Sequence, residues 1–258
     1  GPFQFLKNSN QILDILRDNS VLNKEIENTR YTDDEVKELL KNWPSQKMPI
    51  IKVGLELFLK YGQPLILELF REFGVKIFLD LKLHDIPNTV AKSIRSLKGL
   101  PIEFLTIHLS GGKEMIKRAL EEAKIALPET KILGVSLLTS LGKSDFKELW
   151  DFSDKQVENT FKNLFSLALE LKVHGVVCSP IELKLITPLE EKHHASLIKV
   201  TPGIRFEDEI LQGSLGDQKR VLSPEKAFNS GSNYLVIGRS LTKSTQLDKR
   251  IEHLANLH

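Results

Sequence analysis

The chain of 258 residues holds a single cysteine, Cys178. One cysteine excludes a disulfide framework within the chain and argues against a metal site built on thiolates. Cys178 sits in the apolar run GVVCS and reads as a buried strand residue of a reduced, cytoplasmic protein. Long hydrophobic runs are missing too: none approaches the roughly 20 residues that a membrane helix needs. The N-terminus lacks the basic-then-apolar pattern of a signal peptide. Neither sign of charge dominates. With 36 basic and 34 acidic residues the net charge is +2, so nothing points to nucleic acid or a membrane surface as partner, although a local anion site is compatible with it. No low-complexity stretch or linker divides the chain. Gly1 and Pro2 read as the remnant of a cleaved tag.

What the chain has is a recurring architecture. Short runs rich in Val, Ile, Leu and Phe occur at 49–54, 76–81, 103–109, 131–138, 174–179, 196–203 and 233–239. Most are continuous rather than alternating, as in strands buried on both faces of a parallel sheet. Segments with helical spacing lie between them. PLILELFREFG (64–74) places Leu65, Leu69 and Phe73 on one stripe and ends in Gly74, a C-cap candidate. Residues 111–124 and 154–172 behave likewise, and SPEKAF (223–228) opens with Ser and Pro, an N-cap and N1 pair. This βα repetition fits an open doubly wound sheet or, better, a (β/α)8 TIM barrel, which one more strand before residue 49 would complete. That strand is atypical in sequence. Residues 20–29 contain only SVL as a seed, and QILDILRD reads as an amphipathic helix. Thr32 and Glu35 form a capping box opening a helix over 32–43. The expected division is an N-terminal segment, 1–30, and a barrel domain, 31–258.

In such a barrel, chemistry gathers at the C-terminal strand ends. Strand two ends near Lys52. Strand three runs into FLDLKLHDIPNTV (78–90), where Asp80 and Lys82, two apart, share a face while Leu81 points to the helices. Asp85 follows in the loop, and Pro87 marks the strand as ended. The row Lys52, Asp80, Lys82, Asp85 is either a structural ion network or a preorganised acid–base array, in which a lysine between carboxylates serves as general acid. The loops after strands seven and eight carry Gly203 with Arg205 and Gly238 with Arg239. That is the usual phosphate position of these barrels, where glycines admit backbone N–H groups and arginines clamp the anion. A helix start after strand eight would add its dipole. His84 and His108 lack an acidic cluster at metal-ligand spacing, and HLSGGKE (108–114) lacks the Gly-Lys-Ser/Thr end of a Walker loop.

At these residues the sequence resembles orotidine 5′-monophosphate decarboxylase of the bacterial branch. The pattern Asp-x-Lys-x-x-Asp-Ile-Pro-Asn-Thr (80–89) carries the resemblance. IKVGLELF (51–58), HLSGGKEM (108–115), GVSLLTSL (134–141), HGVVCSP (174–180), VTPGIR (200–205), GDQKRVLSPEKA (216–227) and YLVIGRSLTKS (234–244) follow in order. It runs from about residue 31 to the C-terminus. The resemblance implies a cofactor-independent, metal-free homodimer that converts orotidine 5′-monophosphate to uridine 5′-monophosphate. By implication Lys82 protonates C6, Asp80 lies near the substrate carboxylate, and Lys52 contacts the ribose and Asp80. Asp85 and Thr89 complete the partner's site. Thr139 bonds the pyrimidine, Pro202 packs on the base, and Arg205, Gln218, Gly238 and Arg239 hold the phosphate beneath a closing loop, 205–218.

One departure concerns strand one, which the family ends in a ribose-binding Asp. Counting back from Lys52 gives Arg30; Asn28 is close by, and Asp14 lies about 16 residues too early. Two alternatives stand beside the decarboxylase. One is a Mg²⁺-dependent sugar-phosphate enzyme of the same superfamily, against which DIPNTV and GDQKR argue. The other is a degenerate nucleotide-binding homologue, against which the intact tetrad argues.

Overall fold

The computed structural model describes residues 11–13, 33–43, 49–138, 140–211, 221–242 and 244–257. Each predicted apolar run overlaps a strand, β3 running two residues past its run and β4 starting one residue before it: β2 (Ile50–Gly54), β3 (Lys76–Leu83), β4 (Ile102–His108), β5 (Lys131–Val135), β6 (Gly175–Val177), β7 (Ile198–Thr201) and β8 (Tyr234–Ile237). Each pairs in parallel with the next, giving a curled seven-stranded sheet. Helix α1 (Asp33–Lys41) precedes β2; α2 (Leu55–Phe73), α3 (Pro87–Ser96), α4 (Gly112–Ala126), α5 (Lys143–Trp150), α6 (Asp154–Glu170), α7 (Leu183–His193), α8 (Glu207–Leu211) and α9 (Pro224–Asn229) lie between the strands, and α10 (Arg239–Thr242) and α11 (Leu247–Ala255) follow β8.

The N-terminal segment corrects the expected helix at QIL. Gln11–Leu13 is a strand, β1, pairing in parallel with β2 and with β8. The physical reason lies in the backbone groups that the sheet leaves open at its two margins; an extended segment there satisfies both rows. Thr32, Asp14, Asn28, Arg30 and the SVL seed lie outside the described residues.

Strand alternation builds two apolar layers. Ile50, Phe78, Phe104, Leu133, Val135, Val177, Val200 and Val236 fill the inside of the curl, where Phe104 meets Phe78 at 5.9 Å and Tyr234 at 5.1 Å, both edge-on. Ile51, Val53, Ile77, Leu79, Leu105 and Ile107 face the helices. Helix α2 is longer than expected. It begins at Leu55 and breaks at Gly62, just before Pro64, where the expected helix was to start. Gly74 caps it in the left-handed conformation, its N–H bonded to Phe70.

Candidate active site

β2 and β3 pair with Lys52 opposite Phe78 and Gly54 opposite Asp80, so the charged residues fall at the C-terminal ends of neighbouring strands. Asp80 and Lys52 are buried. Asp80 Oδ2 accepts from Lys82 Nζ at 2.6 Å and from Lys52 Nζ at 3.3 Å. Three of the four residues in the predicted row therefore form one cluster.

Simple alternation does not produce it. Leu79 pairs with Leu105, but the next pair is Leu83 with Ile107, four residues along one strand against two along the other. Lys82 sits in this irregularity at φ 49°, a left-handed value rare for a non-glycine residue. Such a bulge re-aims side chains at the rim of a sheet. Leu81 packs against the outer core, as expected.

Thr106 of β4 locks the bulge, and the sequence reading missed it. Fully buried, its hydroxyl donates to Asp80 Oδ1 at 2.9 Å and accepts the Lys82 amide at 2.8 Å. The available signal was a hydroxyl within the apolar run EFLTIHL, at the layer above Phe104; it reads equally as a β-former. Burial opposes ionisation of Asp80, but the charges of Lys52 and Lys82, with the hydrogen bonds from Lys82 and Thr106, outweigh it. They hold the carboxyl well below the usual carboxylate range. His108 lies against His84 at 5.0 Å between ring centroids, the rings tilted by 33°. Burial, then the charges of His84 and Lys82, push its imidazole down to about 4 against the pull of Asp80.

Asp85 stands apart from the cluster of its own chain. It is exposed, and its carboxylate accepts from the Ile86 amide at 2.7 Å. Thr89, on the first turn of α3, is exposed as well, and Ile86 between them is 67% exposed.

The elements predicted to bind an anion occupy adjacent strand ends, because Thr201 of β7 pairs with Leu235 of β8. Gly203 takes φ 82°, and Pro202 is half-buried beside it. Arg205 is buried, with its guanidinium donating to the Ile204 carbonyl at 2.8 Å and its amide to Leu222 at 3.1 Å. Gly238 and Arg239 open the four-residue α10, whose Leu241 amide returns to the Gly238 carbonyl. Arg250 of α11, also missed, ties the two loops together. It donates to the Ser240 carbonyl, pairs with Asp208 at 2.6 Å and lies over the Phe206 ring at 4.5 Å. Thr139 and Gln218 lie outside the described residues. Among the described residues no group of three His, Cys, Asp or Glu is placed to hold a metal ion, and no helix is long and apolar enough to cross a membrane.

The family model for orotidine 5′-phosphate decarboxylase / HUMPS matches residues 22–253. The orotidine 5′-phosphate decarboxylase of Ehrlichia chaffeensis is 41% identical over 208 residues, 81% of this chain and 85% of that one. That of Oenococcus oeni is 40% identical over 210 residues, 80% and 86% of the two chains. The crystal structure of orotidine 5′-phosphate decarboxylase from Lactobacillus acidophilus superposes with a TM-score of 0.74 at 29% identity, covering 97% of this chain and 99% of that one.

Proposed function

The chain belongs to the orotidine 5′-phosphate decarboxylase / HUMPS family, and on that footing we propose that Lys82 is the proton donor of its reaction. That reaction is decarboxylation of orotidine 5′-monophosphate to uridine 5′-monophosphate in pyrimidine biosynthesis. Loss of CO₂ leaves an electron pair on C6 of the pyrimidine. An ammonium group fixed beside that carbon stabilises the developing charge and then supplies the proton. The observation that carries this reading is the 2.6 Å contact of Lys82 Nζ with a buried carboxylate that also receives Lys52.

The remaining roles belong to the same proposal. Asp80 faces the substrate carboxylate, and Lys52 holds Asp80 and the ribose hydroxyls. Thr139 bonds the pyrimidine and Pro202 packs on it. Arg205, Gln218, Gly238 and Arg239 hold the phosphate, whose binding energy drives closure of the loop 205–218. Asp85 and Thr89 act in the site of a second copy in a homodimer; their exposure, with apolar Ile86 between them, supports this. Residues 31–258 form the catalytic domain, and Gln11–Leu13 of the N-terminal segment closes the sheet into a (β/α)8 barrel, supported by its pairing with β2 and β8. Free Cys178 supports a cytoplasmic setting.

The test is direct. Purified protein is mixed with orotidine 5′-monophosphate and EDTA, and the ultraviolet absorbance is followed as uridine 5′-monophosphate forms. Turnover undiminished by EDTA is expected. Turnover that depends on added Mg²⁺ would favour a sugar-phosphate type of chemistry instead.

A further inference from the structure

We propose that Thr106 is a positioning residue for the proton transfer: its one hydroxyl fixes both the acid that orients Lys82 and the backbone from which Lys82 projects. The inference rests on the reading of Lys82 as proton donor. Thr106 touches Asp80 and the Lys82 amide, so it acts through them.

The geometry at β3 creates two needs at once. The register jump between Leu79 and Leu83 takes the Lys82 amide out of the regular ladder with β4, and a partly buried amide without an acceptor is costly. Asp80 Oδ2 is occupied by two lysines, which leaves Oδ1 of a buried carboxylate in need of a donor. A hydroxyl is donor and acceptor together. Thr106 gives its proton to Asp80 Oδ1 and its lone pair to the Lys82 amide, at 2.9 and 2.8 Å. Its carbon frame sits fully buried in β4, whose neighbours Leu105 and Ile107 are packed against the helices. The hydroxyl therefore has a fixed origin. From it the Asp80 carboxylate takes its rotation, and the left-handed Lys82 backbone, at φ 49°, is held in place. A side chain displaced by even an ångström from its reacting partner loses much of its effect.

Serine keeps both hydrogen bonds; valine keeps the shape and loses both. The experiment compares Thr106→Val and Thr106→Ser with wild type for kcat, KM, the kcat–pH profile and Tm. For Thr106→Val, kcat is expected to fall about 10- to 100-fold, from a buried carboxylate oxygen and a partly buried amide both losing their partner. KM should change little, because phosphate and ribose contacts remain. The acidic limb of the kcat profile should move to higher pH as Asp80 loses a donor. Thr106→Ser should restore kcat to within a few-fold and return the acidic limb. A valine variant that folds and keeps full kcat would overturn the proposal, as would a serine variant as impaired as valine. If Thr106→Val does not fold, Thr106→Cys, with a weaker donor and acceptor in similar volume, is judged by the same two criteria. Lys82→Ala in the same assay separates the two layers: if it retains turnover, the reading of Lys82 has failed, whereas an inactive Lys82→Ala beside a fully active Thr106→Val removes only the role of Thr106.

Discussion

Replacing Asp80 by Asn removes one buried negative charge at nearly constant volume. Its Oδ2 lies 2.6 Å from Lys82 Nζ and 3.3 Å from Lys52 Nζ, with the three side chains 9%, 31% and 10% exposed in that order. The variant leaves two ammonium groups facing a neutral amide. Removing one partner from a buried charge pair costs about 3–5 kcal/mol. Lys82 reaches solvent, so the lower end, about 3 kcal/mol, is expected, or a fall in Tm of roughly 6–12 °C for a chain of this size. The loss carries a pH signature. The folded carboxyl titrates far below its unfolded value of 3.8. Its stabilisation is therefore complete above that value and is lost as pH falls towards the folded one. In that interval the unfolded chain binds a proton that the folded chain refuses, so the advantage of wild type over Asp80→Asn narrows by about 1.4 kcal/mol per pH unit. Urea unfolding of both proteins, from about pH 7 to about pH 3, measures the gap. It should be constant down to about pH 5 and shrink below about pH 4. An Asn variant as stable as wild type, or a gap unchanged at the acidic end, would refute the assignment of Asp80 as the charged hub.

Three further outcomes are expected. Stability should rise with pH between about 4 and 6.5 through His108, whose folded imidazole, partly buried and beside His84 and Lys82, refuses a proton that the unfolded one binds, against the pull of Asp80. The contribution is about 1–2 kcal/mol once partial exposure is allowed for, and His108→Gln should flatten that part of the urea-stability profile. Gly175→Ala should destabilise by about 1–3 kcal/mol in thermal unfolding, because its Cβ would lie 2.4 Å from the Ile198 carbonyl oxygen; Gly134→Ala, whose contact at 2.4 Å is the end of the Leu109 side chain, should cost less. In steady-state kinetics Arg239→Ala should lower kcat/KM about 10- to 100-fold, mainly through KM, as expected for loss of a charge-assisted contact to phosphate.

Seven strands were legible because each is a continuous apolar run, a pattern that burial on both faces of a parallel sheet imposes. β1 was not: three residues beside a longer helical periodicity carry no such signal, and only the open margins of β2 and β8 make them a strand. The onset of α2 was hidden by Gly62 and Pro64, which read as a boundary but break a helix internally. In the candidate site, residue types at strand ends pointed to the cluster of Lys52, Asp80 and Lys82, since charge at the end of an apolar run is costly without a use. The bulge at Lys82 was illegible because register belongs to pairs of strands, and Thr106 because a threonine in a strand looks ordinary. Arg250 lies on the last helix and meets the loops after β7 and β8 only through tertiary packing.

The central claim is that Lys82, held by Asp80, delivers the proton to the reacting carbon. It is tested most directly by Lys82→Ala, assayed for turnover of orotidine 5′-monophosphate and, by calorimetry, for binding of uridine 5′-monophosphate. Turnover lost with product binding retained is the predicted result. A Lys82→Ala protein that still turns over at the wild-type rate would contradict the claim.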